Sequence, residues 1–447
     1  MLDQMFTAEN FRHIFDLENR KGNDLATRFF PDLERYTLAV KDKARELREL
    51  RASKDSLPVE LFQISVDSLR AQLKALKSNK SAAIDEELEK VSANVIAPNF
   101  KIDLKSKLGP NGKTVYVIDG SAETFFAIKQ LQSNLHKLYG VKQSNRHDQV
   151  SRVRDTISGN YPYELVRTDI ADFYESIDRK ALVDQLETDQ LLSASSKKYL
   201  RQVLDAYGKL AGTPTGIPRG VGISAYLAEF YIRHVDRDIK RIPGIVLYCR
   251  YVDDIVAIFA RPPVGLIPVS YERSISDIFA QYSLRCNARK TTSFDFSNPG
   301  AIKFEYLGYR FLKGQKLEIS PSSKKIRKYK MRLNAAFDHY AKLRHLRPRR
   351  SFRDLVARIK FLTGNTRLVN SKASAVTGIY YSNSAANEIS SFVLLDKILT
   401  RRLGDLKSGR LKKRLKPYRF KKGFEERRFH HFSTKELKMI VEAWQHG

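Results

Sequence analysis

Residues 248–259, YCRYVDDIVAIF, constrain this chain more than any other stretch. Two runs rich in Val, Ile and Tyr flank the pair Asp253–Asp254, the pattern of two strands joined by a tight turn. Adjacent carboxylates repel each other, so their use at a hairpin tip needs a reason. A solvated turn supplies one, because Asp is a common turn residue. A site that binds something of opposite charge supplies another. The 447 residues hold 80 Lys and Arg against 50 Asp and Glu, a formal charge of +30. Such an excess opposes compaction, so a polyanionic partner is its expected use, nucleic acid first and an anionic membrane surface second. No run approaches the roughly 18 apolar residues of a membrane span. The opening MLDQMFTAENFRHIF lacks a basic segment followed by an apolar core, so it is not expected to be a signal peptide. Cys249 and Cys286 stand without a CxxC or a Cys/His cluster and are expected to be reduced core residues of a cytoplasmic protein, not zinc ligands.

Residues 1–100 read as mostly helical: LERYTLAVKDKARELREL and VELFQISVDSLRAQLKALKS carry apolar residues three and four apart. SNKSAAIDEE is expected to be a break or loop. From 101 the texture changes. NFKIDLKSKLGPNGKTVYVIDG reads as two strands around a GPNGK turn, SAETFFAIKQLQSNLHKLYG as a helix, and ELVRTDIADFYESI as strand-like. Residues 181–240 return to helical spacing, interrupted by AGTPTGIPRGVGIS. YERSISDIFAQYSL is an expected helix and FEYLGYRF an expected strand pair. Beyond 320 the chain is expected to be basic and helical, with SFRDLVARIKFLTGNTRLVN and AVTGIYYSN suggesting paired helices. FSTKELKMIVEAW has capping-box spacing, Ser433 to Glu436, ahead of an amphipathic helix.

Asp169, in RTDIADFYESI, lies 84 residues before Asp253 near the end of a strand-like run. Three carboxylates converging from two strands can hold two Mg2+ ions about 4 Å apart. One ion can activate a 3′-hydroxyl and the other stabilise a leaving pyrophosphate. On this reading the repulsion within the Asp253–Asp254 pair is neutralised by divalent cations.

YVDD on a hairpin, preceded by DIADFYESI, resembles the palm of reverse transcriptases. Asp169 matches the family's first catalytic aspartate, and Asp253 and Asp254 its pair. GIPRG (216–220) resembles the Gly-rich element that supports the template and nascent base pair, LRCNARKT (284–291) the segment ending in a lysine near the triphosphate, and FEYLGYRF (304–311) the hairpin that grips the primer. These motifs follow the family's order over roughly residues 140–320. The resemblance implies an α+β right-hand polymerase: a helical N-terminal region (1–100), fingers (101–165), a palm with a short antiparallel sheet (166–319), and a basic helical thumb (320–447). It implies Mg2+ as cofactor, with Mn2+ as a substitute, held by Asp169, Asp253, Asp254 and the carbonyl of Ile170. Asp172 is expected to face solvent or backbone. Lys290 falls where a general acid would protonate the pyrophosphate. Tyr174, after Phe173, falls at the family's steric gate, which favours dNTPs over NTPs. Arg146, with Arg152, resembles the segment that clamps the triphosphate, since a planar guanidinium suits phosphate. Arg219 and Gly220 end the Gly-rich element, and here the sequence departs from the family: Arg219 stands where Gln is usual, adding a charge and removing an acceptor.

Downstream, Lys324, Lys325, Arg327, Lys328 and Lys330 mix with aromatic residues, and 401–430 hold thirteen Lys/Arg, among them Lys412, Lys413 and Arg414, against three Asp/Glu. Such surfaces suit phosphate contacts that weaken steeply with salt. Tyr329, Tyr418 and Phe420 serve as base-stacking platforms or as core. No RNase H or integrase segment is evident. FLTGNTRLVN…GIYYSN resembles the defence-associated bacterial reverse transcriptases of the unknown-group and abortive-infection type, and the N-terminus resembles the first reverse transcriptase of the type 3 defence system. That resemblance implies RNA-directed DNA synthesis from dNTPs, a noncoding RNA as template or scaffold, a DNA product, a second polymerase subunit, and antiviral function away from the membrane. The alternatives are an RNA-directed RNA polymerase, a retron-type enzyme, a non-templated or protein-primed polymerase, and a silent nucleic-acid-binding scaffold.

Overall fold

Two units, each assembled from two stretches of sequence, make up the chain: Met1–Lys142 with Asp172–Arg233, and Gln143–Ala171 with His234–Gly447. The computed structural model describes residues 2–53, 58–109, 112–159, 161–261, 270–297, 300–368 and 375–444.

The first unit is mainly helical. Helix Ala8–Arg20, capped by the Thr7 side chain, buries Phe11 against Phe126 of helix Ala122–Tyr139, with ring centroids 5.4 Å apart. Helices Glu34–Ala52 and Val59–Ile96 pack together. SNKSAAIDEE does not break the second of these. No Gly or Pro interrupts it, Ser78 and Asn79 lie exposed, and Ile84, Leu88, Val91 and Val95 are buried at helical spacing, so burial outweighs the weak propensity of the polar residues. Strands β1 (Leu104–Leu108) and β2 (Thr114–Ile118) form the antiparallel pair that the sequence predicts; residues 110 and 111 of its turn lie outside the described residues. Helices Phe173–Ser176, Arg179–Thr188 and Ala194–Ala211 follow, and then the Gly-rich segment.

The second unit holds a four-stranded antiparallel sheet. Its strands are β3 (Tyr163–Asp169), β4 (Ile245–Tyr251), β5 (Asp254–Ala260) and β6 (Thr292–Asp295), in the order β4-β5-β3-β6. Leu165 and Val166 on β3 and residues 255–259 on β5 are almost fully buried, as central strands require. Helices Arg146–Ile157 and Tyr271–Gln281 flank these strands in sequence. A second sheet, β7 (Ile302–Tyr306), β8 (Tyr309–Lys313) and β9 (Leu317–Pro321), carries the expected FEYLGYRF hairpin and one further strand.

Beyond it, helices Ser323–Leu343, Pro348–Thr363 and Ser390–Gly404 enclose a core that includes Leu333, Phe337, Leu355, Ile359, Phe392, Leu395 and Phe424. Phe420 is buried there, and Tyr329 and Tyr418 pack against it, which is the core role rather than the stacking one. AVTGIYYSN is not a helix. β10 (Asn365–Arg367) pairs with β11 (Val376–Gly378), while residues 369–374 lie outside the described residues. Gly378 has φ +134°, and a Cβ there would lie 2.4 Å from the Asn365 Cα. The buried Asn365 side chain accepts from the Tyr380 N–H at 2.9 Å and donates to the Gly423 and Arg428 carbonyls at 3.2 Å each, which fixes the turn. The terminal helix Thr434–Glu442 has its capping box, Ser433 with Glu436. Cys249 is buried and Cys286 only half-buried, and both are free thiols. None of the described helices is long and apolar enough to cross a membrane. Helices combined with small antiparallel sheets give the expected α+β class.

Candidate active site

The sheet of the second unit brings the acidic residues together. In the β3–β5 register Asp169 faces Asp254. On the β4–β5 side Tyr251 pairs with Asp254, leaving Val252 and Asp253 as a two-residue tip. Val252 has φ 60°, a conformation that a β-branched residue adopts only under strain and that hairpins usually give to glycine. Its neighbours hold it there. The Arg250 Nη1 donates to the Val252 carbonyl at 3.0 Å, while Nε and Nη2 donate to the two carboxylate oxygens of Asp236, each at 2.8 Å. The Ile170 N–H donates to the Asp253 carbonyl at 3.1 Å, and the Asn287 N–H to the Asp169 carbonyl at 2.8 Å. Backbone hydrogen bonds thus fix both ends of the acidic cluster.

Charge is unevenly balanced in this cluster. Asp169 is 5% exposed and pairs with the Lys290 Nζ at 2.6 Å. Burial, then Asp253 and Asp169, push the Asp254 carboxyl above its usual range, against the pull of Arg167 and Lys290. The hydrogen bond to Asp169 holds the Lys290 ammonium above its usual range, so Lys290 is a cation. Among the described residues no three His, Cys, Asp or Glu side chains stand gathered as a ready metal cage. The donor chemistry nevertheless fits a hard divalent cation: carboxylate oxygens only, with one carboxyl whose proton affinity is raised by burial and then by its acidic neighbours.

Asp253, Asp254 and Lys290 line a cavity of about 830 Å3 with Arg146, Arg167, Lys324, Lys325, Lys328, Tyr329 and Arg332. Arg146 does not stand as an open clamp: its Nε and Nη2 donate to the Leu307 carbonyl, at 3.1 and 2.5 Å, in the β7–β8 turn. The Lys325 ammonium donates to the Ser382 carbonyl and lies 4.6 Å from the centre of the Tyr309 ring. Burial, and then Arg146, push it down to about 7. Arg152, Arg327, Lys330, Lys412, Lys413 and Arg414 do not line this cavity. Arg152 is exposed on its helix. Lys412 donates to the Gly404 carbonyl at 2.9 Å near the end of the preceding helix. Sequence reasoning missed Arg167 and Asn287, although Arg167 was legible: two residues before Asp169 on a strand, it shares that residue's face.

In the first unit the Phe173–Ser176 turn meets the Gly-rich segment. The Ile217 N–H donates to the Tyr174 carbonyl at 2.8 Å and the Gly216 N–H to the Ile177 carbonyl at 2.7 Å. Phe173 is 2% exposed. Asp172 pairs with Lys113 at 3.0 Å. Arg219 donates to both oxygens of Glu175, from Nε at 3.0 Å and from Nη2 at 2.8 Å, and its guanidinium lies 5.2 Å from the Tyr174 ring centre. Its carbonyl accepts from the Tyr116 N–H at 2.7 Å. Gly220 has φ +102°, and a Cβ there would meet the Tyr116 carbonyl oxygen at 2.7 Å, so a side chain has no room.

Residues 124–311, which include Asp169, Asp253, Asp254 and Lys290, match the family model of the reverse transcriptase (RNA-dependent DNA polymerase). This stretch is a reverse-transcriptase domain. The solved structures similar to this chain include apo telomerase from Candida tropicalis, at 11% identity and TM-score 0.40 over 78% of this chain and 63% of that one. A form truncated from its C-terminal domain matches at 12% and 0.36 over 51% and 56%. Telomerase from Candida albicans, in complex with the TWJ fragment of telomeric RNA, matches at 13% and 0.36 over 77% and 64%. The match thus spans between 56% and 64% of those chains. No curated protein matches.

Proposed function

We propose that this chain, with its reverse-transcriptase domain over residues 124–311, is an RNA-directed DNA polymerase that adds dNMPs to a primer 3′-hydroxyl. The observation that carries the reading is the β3–β5 register, which faces Asp169 with Asp254 while the Ile170 N–H ties down Asp253. Asp169, Asp253 and Asp254, with the Ile170 carbonyl, would hold Mg2+ or Mn2+. When bound, such ions neutralise charge, activate the 3′-hydroxyl and polarise the pyrophosphate. Lys290, an ammonium beside Asp169, would give a proton or a hydrogen bond to the departing pyrophosphate; its ion pair with Asp169 supports that role. Arg146, Lys324 and Lys328 share the cavity with Asp253 and Asp254 and supply cations for phosphates, and Lys325, its pKa brought down to about 7 by burial, joins them when protonated. Tyr174 acts as the sugar gate, with Phe173, Arg152, Arg219 and Gly220 handling the nucleotide. Arg327, Lys330, Lys412, Lys413 and Arg414 contact nucleic-acid backbone.

We further propose the division into N-terminal region, fingers, palm and thumb at 100, 165 and 319, and a cytoplasmic role in antiviral defence with a noncoding RNA and a second reverse transcriptase subunit. Resemblance in FLTGNTRLVN…GIYYSN and in the N-terminal segment supports that role. The test is incorporation of labelled dNTPs, and separately NTPs, by purified protein with its co-purifying RNA, beside an Asp253→Asn/Asp254→Asn control. Mg2+-dependent, RNase-sensitive DNA synthesis absent from the control is expected. Synthesis unaffected by the control substitutions overturns the reading.

A further inference from the structure

We infer that Glu175 and Arg219 are positioning residues that pin the Tyr174 ring and thereby set how strongly the site discriminates dNTPs from NTPs; this rests on the reading of Tyr174 as the sugar gate. A gate excludes a 2′-hydroxyl only as far as its ring resists displacement. The Tyr174 side chain projects from a turn of four residues, Phe173–Ser176, too short to immobilise a side chain by helix packing alone. Two backbone hydrogen bonds lock that turn to the Gly-rich segment, from Ile217 to Tyr174 and from Gly216 to Ile177, at 2.8 and 2.7 Å. Gly216 is required for the approach: with φ +89°, a Cβ there would lie 3.0 Å from the Glu175 carbonyl oxygen.

The side chains complete the clamp. The fork of Arg219 takes both Glu175 oxygens, which fixes the plane of the guanidinium as well as its position. That cation lies 5.2 Å from the centre of the Tyr174 ring, within reach of its π-face. The pair's side chains remain 31% and 41% exposed, a setting in which an ion pair adds little to stability. What this pair contributes is geometry at the ring. Glutamine, usual in the family at position 219, can neither form the fork nor present a cation, so Arg219 and Glu175 act as a matched set and the departure gains a purpose.

The experiment measures (kcat/KM) for a dNTP over that for the matching NTP, together with equilibrium binding of each. Tyr174→Ala should collapse the ratio. Glu175→Gln and Arg219→Gln should each lower it about tenfold, equal to about 1.4 kcal/mol at 25 °C, chiefly through a lower KM for NTPs. The combined Glu175→Arg/Arg219→Glu exchange restores an ion pair but removes the cation from the ring, so its ratio should stay low while its melting temperature stays close to that of the wild type. An unchanged ratio in Tyr174→Ala would overturn the gate reading itself. A collapse in Tyr174→Ala with unchanged ratios in both single variants would overturn the clamp and leave the gate standing. Recovery of the ratio by the exchange would reduce the pair to a structural contact and also overturn the inference.

Discussion

Asp254→Asn removes a negative charge that the fold holds at a disadvantage. Burial, then Asp253 and Asp169, raise the proton affinity of the Asp254 carboxyl. A carboxyl whose folded-state pKa is raised carries no penalty below its unfolded value, near about 3.9. It destabilises progressively as pH rises through the folded value, because the native state binds the proton more tightly than the unfolded one. At neutral pH the penalty is in force, and every unit of displacement corresponds to about 1.36 kcal/mol. The amide keeps the shape and drops the charge. Metal-free Asp254→Asn should therefore be the more stable protein, by on the order of 0.5–2 kcal/mol. That gain reads as about 2–4 °C per kcal/mol in a domain of 150–250 residues. Mg2+ should reverse the ranking, since a ligand at 100 times its Kd adds about 2.7 kcal/mol to a protein that binds it. The assay is scanning calorimetry in chelator and in excess Mg2+, at mildly acidic and at neutral pH. If the metal-free variant melts below the wild type, or its advantage does not grow from acidic to neutral pH, the electrostatic account of the cluster is wrong.

Lys325 makes the opposite pH prediction. Its folded-state pKa is pushed down to about 7 from 10.5, so the native state sheds the proton first and stability should rise across that window; Lys325→Met should flatten the rise in denaturant titrations at stepped pH. Arg358, fully buried, donates to the Met439 carbonyl at 3.0 Å and bonds His339 Nδ1 at 3.0 Å. Arg358→Ala should cost roughly 2–4 kcal/mol and expose helix Thr434–Glu442 to limited proteolysis, whereas Arg358→Met, which refills the space, should lose less than half of that. Replacing Lys412, Lys413 and Arg414 together by Ala should weaken RNA binding at all sequences and reduce the salt slope by about 0.7 for each phosphate no longer neutralised; an unchanged slope would remove this helix from the interface.

What the sequence made legible depended on how local the determining forces are. The YVDD hairpin was readable because its alternating apolar runs and its two-residue tip are local signals, and Asp169 because a strand-like run carries it. SNKSAAIDEE misled because its polar residues have weak helix propensity, and the burial of Ile84 and Leu88 that overrides it is tertiary. AVTGIYYSN misled for a related reason: its apolar spacing suits a helix, but a buried amide at Asn365 and the close approach at Gly378 decide the turn. β6 and β9 are short strands whose pairing partners supply their definition. In the site, Lys290 was found by motif, whereas its ion pair with Asp169 and the capture of Arg219 by Glu175 are contacts across 121 and 44 residues that no local pattern announces.

The most direct measurement extends a DNA primer on a defined RNA template with the four dNTPs and Mg2+, and sequences the product of the wild type beside that of Asp169→Asn. Product complementary to the RNA, made by the wild type and lost in the variant, is the predicted result. Product unrelated to the RNA, or equal yields from the two proteins, would contradict a templated polymerase centred on Asp169, Asp253 and Asp254.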